Sequence, residues 1–93
     1  MIEVRDSIRI VNQRGLHARA SAKFVSLVAE LPTSLDILVS KDGVEAQGGS
    51  ILGLMMLGAA KGDEIQISVS GGEGADAALE ALAELVRNGF GED

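Results

Sequence analysis

The chain has 93 residues, of which 46% are hydrophobic, and its formal net charge is −6 at neutral pH. This length and apolar content predict one folded domain over residues 1–93 rather than a disordered chain. The acidic balance argues against broad nucleic-acid binding, which requires a basic surface. The sequence has no cysteine, no signal-peptide pattern and no apolar run of the ~20 residues that cross a bilayer. We therefore expect a cytoplasmic protein without a membrane segment.

The charge is distributed unevenly along the chain. Residues 7–29 include no acidic side chain, although they contain Arg9, Arg14, Arg19 and Lys23. A basic region in an acidic chain is typical of a site for an anionic ligand or an acidic partner. Taken alone, the pattern fits a solvated basic face better than a binding site.

The first two elements differ in the period of their apolar residues. Residues 2–11 alternate between apolar and polar, apart from Asp6, and predict a strand with one buried face. Residues 17–30 have helical spacing, and Pro32 ends that helix because the residue before proline is disfavoured in helical geometry. The apolar stripe of this helix consists of Ala20, Phe24, Leu27, Val28 and Leu31.

Three more segments have the alternation of strands. Residues 34–40 predict the second strand, and residues 44–46 return as a short third strand. The Asp42-Gly43 pair between them is typical of a tight hairpin turn. Residues 64–70 alternate cleanly between apolar and polar and predict the fourth strand.

Two further helices complete the pattern. Residues 51–57 predict a short helix whose N-cap is Ser50, because a serine hydroxyl can accept a hydrogen bond from the first turn. This helix is apolar almost all round, so it is either buried on every side or exposes an apolar patch for a partner. Met55 and Met56 are adjacent and cannot both face inward, so at least one is exposed. Residues 75–87 predict an amphipathic last helix.

The element order is therefore β-α-β-β-α-β-α. Four strands with one polar face each predict an α+β fold of the open-faced β-sandwich type. Its four-stranded, mainly antiparallel sheet is covered on one face by three helices. Other small folds share this arrangement, so the fold alone does not identify a function.

The only histidine, His17, lies where the first strand region gives way to the first helix. A helix N-terminus presents unpaired N–H groups and the positive end of the helix dipole, which favour anions. A neutral imidazole nitrogen is nucleophilic near pH 7. The sequence thus suggests that His17 takes up a phosphoryl group, whose charge the helix terminus and Arg19 neutralise. By position alone, a plain cap or surface residue is the commoner role of such a histidine.

Two other kinds of site have little support. One histidine, no cysteine and scattered carboxylates provide no cluster of metal ligands, so we expect no metal and no cofactor. A hydrolase triad needs an acid beside the histidine, and the acid-free stretch around His17 predicts none.

Two motifs resemble those of the histidine-containing phosphocarrier family of the bacterial phosphotransferase system, the HPr/NPr family. Residues 15–19, Gly-Leu-His-Ala-Arg, followed by Phe24-Val25, resemble its active-site signature. Residues 50–58, Ser-Ile-Leu-Gly-Leu-Met-Met-Leu-Gly, resemble its regulatory-serine segment. The predicted element order also matches that family, so the resemblance covers residues 4–87.

The resemblance implies roles for individual residues. His17 would accept a phosphoryl group on Nδ1 from Enzyme I, with phosphoenolpyruvate as ultimate donor, and pass it to a histidine of an enzyme IIA-type protein. Arg19 would pair with the phosphoryl oxygens. Ser50 would be phosphorylated by an HPr kinase where the cell has one. The residues implied in partner binding are Ala20, Lys23, Ile51, Leu52 and Met55.

Several points are left open at this stage. Ala20 stands where many members have proline, and Gly49 stands where many have lysine, which weakens the expectation for Ser50 more than that for His17. Residues 88–93 have no role that the sequence assigns. The alternative function is a non-transporting regulatory binding module of the nitrogen-type phosphotransferase chain. We expect a monomer, and the sequence does not choose between the sugar and nitrogen branches.

Overall fold

The computed structural model describes residues 3–92. Within them every predicted element is present, and each boundary lies within two residues of its prediction; residue 2, the predicted start of the first strand, lies outside the described residues. One unpredicted element, a 3₁₀ turn, follows the last helix. The elements are β1 (Glu3–Arg9), α1 (Ala18–Ala29), β2 (Asp36–Lys41), β3 (Val44–Gln47), α2 (Ile51–Met56), β4 (Glu64–Ser70), α3 (Ala75–Arg87) and the 3₁₀ turn η1 (Gly89–Gly91).

The strands form one sheet in the order β1-β4-β2-β3, and all three pairings are antiparallel. The prediction of an α+β fold with a mainly antiparallel four-stranded sheet is confirmed. On β4 the apolar side chains of Ile65, Ile67 and Val69 are buried against the helices, while the alternate polar residues face the open side. Asp42 and Gly43 both have positive φ, 52° and 84°, as the tight turn between β2 and β3 requires.

The core lies between the sheet and the helices. Ala20 and Phe24 of the predicted α1 stripe are fully buried, while Leu27, Val28 and Leu31 pack half-buried at its margin. Further fully buried large apolar side chains come from β2, β4, α2 and α3, from the residue after β1 and from the turn after α3. They are Ile10, Val39, Leu54, Ile65, Ile67, Val69, Leu82, Val86 and Phe90.

The polar interruption of β1 has a partner on the last helix. Asp6 accepts a hydrogen bond of 2.9 Å from Arg87 at the end of α3, and both side chains remain about half exposed. Asp6 therefore interrupts the apolar side of β1 at the edge of the core, where its ion pair with Arg87 remains accessible to water. Such a pair contributes little stability but aligns α3 on the outer strand.

The C-terminal segment turns back toward α1. Gly89 and Phe90 both adopt positive φ, 62° and 59°, and the Phe90 ring is buried in the common core. Lys23 Nζ of α1 donates a 2.7 Å hydrogen bond to the Phe90 carbonyl. The chain that follows α3 is thereby held against the first helix. None of the helices in the described residues is long and apolar enough to span a bilayer.

Candidate functional site

The loop between β1 and α1 is fixed by backbone hydrogen bonds. The Gly15 N–H donates to the Asn12 carbonyl at 3.2 Å, and the Leu16 N–H donates to the Ala59 carbonyl at 2.9 Å. Gly15 has a φ of 62°, and its α-carbon lies so close to the backbone of Ala59 that a side chain has no room. Together with the buried Leu16 side chain, these contacts place the next residue, His17, at a defined point.

His17 is the N-cap of α1. Its backbone is extended, its carbonyl accepts the first intrahelical hydrogen bond from Ser21, and its Nδ1 accepts the N–H of Arg19 at 3.2 Å. The cap position that the sequence suggested for this histidine is thus present. Because Nδ1 accepts a hydrogen bond, it presents a lone pair and not a proton toward the helix N-terminus.

The second ring nitrogen of His17 has an acidic partner. Its Nε2 lies 2.8 Å from Oε2 of Glu92, and the two side chains are 22% and 15% exposed. The prediction that no acid stands beside this histidine is wrong. It rested on neighbours along the chain, whereas Glu92 is 75 residues away in sequence and is brought to the site by the turn after α3.

Glu92 is itself held in place by Asn12. The Asn12 amide nitrogen donates to Oε1 of Glu92 at 3.1 Å and to the Gly15 carbonyl at 2.9 Å. Both neighbours are acceptors, so they fix the orientation of this buried amide. The side-chain oxygen of Asn12, Oδ1, has no hydrogen-bond partner among residues 3–92. Sequence reasoning missed both residues, and it assigned no role to the segment that contains Glu92.

The Glu92 carboxyl remains ionised at neutral pH. Burial raises its pKa, but hydrogen bonds from Asn12 and His17, together with electrostatic attraction to His17 and Lys23, outweigh burial. The net result is a pKa below the ordinary value of 4.5. The carboxylate therefore accepts from both neighbours at neutral pH.

This lowered pKa predicts a loss of stability in acid. A carboxyl whose pKa is lower in the folded state contributes stability above its unfolded pKa, and that contribution disappears as the pH falls through the folded value. We expect the difference in free energy of unfolding between wild type and Glu92→Gln, from urea titrations, to shrink below about pH 4.5. The exposed Glu84→Gln change is the control. A difference that is equal at pH 3 and pH 7 would contradict the prediction.

Arg19 lies at a basic cleft next to the histidine. The cleft has a volume of about 480 Å³ and is lined by Arg14, Arg19, Lys23 and Glu92 together with Gln13 and Gly91. The Arg19 guanidinium forms no ion pair with a carboxylate of residues 3–92. Three cationic side chains around one carboxylate leave the cleft positively charged, which favours an added anion.

Ser50 caps α2 as predicted. Its Oγ accepts the Gly53 N–H at 2.9 Å. The helix is not buried on every side but exposes an apolar patch, the second of the two alternatives that the sequence allowed. Leu54 and Leu57 face the core, whereas four neighbours form an exposed apolar patch, called the α2 patch below: Ile51 (41% exposed), Leu52 (67%), Met55 (39%) and Met56 (74%).

The residues suggested for partner binding differ in their exposure. The α2 patch lies on a helix that packs against α1, whose N-cap is His17. Ala20 is 0% exposed, so the prediction that it contacts partners is wrong: its methyl group belongs to the buried face of α1. Lys23 is exposed but bonds the Phe90 carbonyl. Within residues 3–92 no group of three or more His, Asp or Glu side chains is arranged to hold a metal ion.

Comparison with known proteins adds a consistent result. The sequence model of the family described as "PTS HPr component phosphorylation site" matches residues 4–88. Phosphocarrier protein HPr of Neisseria meningitidis serogroup A is 42% identical over 89 residues, 96% of this chain and 97% of that protein. Phosphocarrier protein NPr of Escherichia coli K12 is 33% identical over 90 residues, 97% and 98% of the two chains.

A solved structure agrees with these sequence matches. The crystal structure of a phosphocarrier protein HPr from Bacillus anthracis superposes with a TM-score of 0.84 at 35% identity, over 92% of this chain and 99% of that one. The region matched by the family includes the His17 loop and the α2 patch. It ends at residue 88, before Glu92.

Proposed function

The chain belongs to the HPr/NPr family of phosphocarrier proteins of the phosphotransferase system, and from this membership we propose that His17 is its phosphoryl acceptor. The observation that carries the proposal is the hydrogen bond from the Arg19 N–H to Nδ1 of His17. It identifies Nδ1 as the ring atom with a lone pair, and the lone pair is what attacks phosphorus.

The proposed chemistry needs only local rearrangement. When the Nδ1 lone pair forms a bond to phosphorus, the bond between phosphorus and the nitrogen of the phosphoryl donor breaks. The electron pair of that bond stays on the donor nitrogen. The Arg19 N–H then loses its acceptor on Nδ1 and is free to donate to a phosphoryl oxygen, as are the other unpaired N–H groups of the first turn. The Arg19 guanidinium, which lines the adjoining cleft, supplies the balancing positive charge.

The partners follow from family membership and from the surface. We propose Enzyme I as donor, charged by phosphoenolpyruvate, and an enzyme IIA-type protein as acceptor, with the chain acting as a monomer in the cytoplasm. The α2 patch supports docking, because an exposed apolar cluster on a helix that packs against α1 suits a partner with an apolar surface and an acidic rim. Lys23, in the middle of α1, contributes positive charge to the cleft that Arg19 lines.

Regulation at Ser50 belongs to the same proposal. Its hydroxyl stands at the start of α2, directly before the first residue of the α2 patch. A phosphate there would add about two negative charges beside the docking surface and weaken the hold of an acidic partner. Gly49 precedes it, so recognition by an HPr kinase rests on fewer matching residues than the chemistry of His17.

Incubation with Enzyme I and phosphoenolpyruvate tests the carrier function. We expect intact-mass measurement to show one added phosphoryl group that is lost in acid, and none in His17→Ala. Arg19→Gln should still be phosphorylated, but about 100-fold more slowly, as for loss of one oxyanion donor. Arg9→Gln is the matched control, because Arg9 donates to the Gly62 carbonyl outside the cleft.

Failure of phosphorylation would favour the alternative function, a regulatory binding module. If several Enzyme I preparations transfer no phosphate to the wild-type chain, the carrier proposal is wrong. The regulatory binding module would then be tested by incubation with an HPr kinase and ATP, with Ser50→Ala as control, followed by measurement of binding to IIA-type proteins.

A further inference from the structure

The contact between Glu92 and His17 carries a further inference. We propose that Glu92 is a positioning residue for phosphoryl transfer, which keeps the proton on Nε2 of His17 and balances the ring's positive charge while Nδ1 is phosphorylated. This inference rests on the proposed role of His17 and adds to it the residue that controls the state of its ring.

The hydrogen bonds on the two sides of the ring agree on one tautomer. Nδ1 faces a donor, the Arg19 N–H at 3.2 Å, and Nε2 faces an acceptor, Oε2 of Glu92 at 2.8 Å. The opposite tautomer would direct an N–H at an N–H on one side and a lone pair at a carboxylate on the other. Both contacts would then be repulsive, so the structure favours the ring with Nε2 protonated.

The same carboxylate acts on the phosphorylated ring. With phosphorus on Nδ1 and hydrogen on Nε2, the imidazole carries a positive charge, and Glu92 lies in direct contact with its N–H. On uptake, the Nδ1 lone pair bonds phosphorus and the donor nitrogen keeps the electron pair of the broken bond. On delivery, Nδ1 takes back the electron pair of its own phosphorus bond and the ring is neutral again. In neither direction does the Nε2 proton move.

The carboxylate is held where this role requires it. Asn12 fixes Oε1, and Lys23 bonds the carbonyl of Phe90, two residues before Glu92. Within the described part of the chain, His17 contacts Glu92, and the cationic side chains of Arg14, Arg19 and Lys23 line the same cleft. Among residues 3–92, no other carboxylate lines this cleft.

Glu92 does not occupy the position of the phosphoryl group. It is hydrogen-bonded to Nε2, and the Nε2–H and the Nδ1 lone pair point away from the ring in different directions, so an anion can stand at each nitrogen. A blocking role would instead require a contact at the Nδ1 edge. The two roles make opposite predictions for the rate at which His17 takes up phosphate.

Two substitutions separate the hydrogen bond from the charge. Glu92→Gln removes the charge but keeps one oxygen that can accept from Nε2, provided that the Asn12 amide turns its own oxygen toward the new NH2 group; Glu92→Ala removes both the charge and the acceptor. Glu84→Gln is the matched control, since it removes a carboxylate that pairs with Asn88 and Arg87 at the end of α3, away from His17. Nitrogen-15 NMR of the labelled ring should show the Nε2-protonated tautomer in wild type, Glu84→Gln and Glu92→Gln, and a mixture in Glu92→Ala.

The second measurement follows the stability of phosphohistidine with pH. Phosphoramidate phosphorylates histidine without Enzyme I, and the cationic ring loses its phosphoryl group faster because neutral imidazole is the better leaving group. Removal of a carboxylate in contact with the ring should move the midpoint of the hydrolysis profile to lower pH by about one unit in both Glu92 variants. Arg14, Arg19 and Lys23 are present in every variant, so their charges do not alter the comparison.

The outcomes distinguish failure of the proposed role of Glu92 from failure of the proposed carrier function. If wild-type His17 takes up no phosphate from any donor, the proposed function fails. If His17 is phosphorylated but all midpoints coincide, or if Glu92→Ala takes up phosphate faster than wild type, Glu92 is not a positioning residue and the carrier function stands.

Discussion

Gly15→Ala is expected to destabilise the protein strongly and to displace His17. A β-carbon on Gly15 would lie 2.3 Å from the Ala59 carbonyl oxygen and 2.8 Å from the Ala60 α-carbon. Both are backbone atoms, so no side-chain rotation can make room. The φ of 62° adds left-handed strain. We expect a loss of about 3 kcal/mol or more in free energy of unfolding, which is a large part of the stability of a small domain.

Gly58→Ala separates strain from the clash. Gly58 has a φ of 66°, almost that of Gly15, but its β-carbon would meet nothing within 4 Å. Its alanine variant should therefore lose only the strain, about 1–2 kcal/mol. Urea titration of both variants, with the rate of His17 phosphorylation by Enzyme I as second readout, checks the prediction. Equal losses in the two variants would show that the contact with Ala59 has no effect.

The elements of the fold could be predicted because each has one buried face with a regular period. On β4 the alternation of Ile65, Ile67 and Val69 with polar residues leaves a single register that buries the apolar side. The Asp42-Gly43 turn was predictable for a local reason, since both positions require positive φ. The observed element boundaries differ from the predicted ones where the alternating pattern continues past the end of the strand. The pattern of the first strand extends to residue 11, for example, whereas β1 ends at Arg9.

The candidate site was predictable only where local rules apply. The cap positions of His17 and Ser50 follow from the sequence next to each helix. The exposure of α2 depends on packing with α1, so the sequence allowed two alternatives. Ala20 was assigned to partner contact from the resemblance, although its spacing of four residues from the buried Phe24 places both on one face of α1.

The role of the C-terminal segment could not be derived from periodicity. Glu92 meets His17 through a tertiary contact that spans 75 residues, and no repeat in the sequence encodes such a pair. One signal was present: Phe90 is one of only two aromatic residues in the chain and stands among glycines and acids. A large apolar side chain in such a segment indicates that the segment is anchored in the core.

Phe90→Ala is therefore expected to affect both stability and the site. The ring is 1% exposed, and loss of a buried phenylalanine costs about 3–5 kcal/mol. Phe90 also fixes the turn that carries Glu92, so the variant should lose the preference of His17 for the Nε2-protonated tautomer. Urea titration and nitrogen-15 NMR of the histidine ring measure the two effects.

Ile67→Ala is the control that tells a local anchor from general destabilisation. Ile67 is fully buried in the centre of the sheet, opposite Asp6 and Val39, and its truncation costs a similar 2–5 kcal/mol. Because Ile67 supports the sheet and not the C-terminal turn, its variant should keep the tautomer of the wild type. If Phe90→Ala keeps that tautomer as well, the turn holds Glu92 without its aromatic anchor. Phe90→Leu, which retains most of the buried volume, should restore both stability and tautomer in large part.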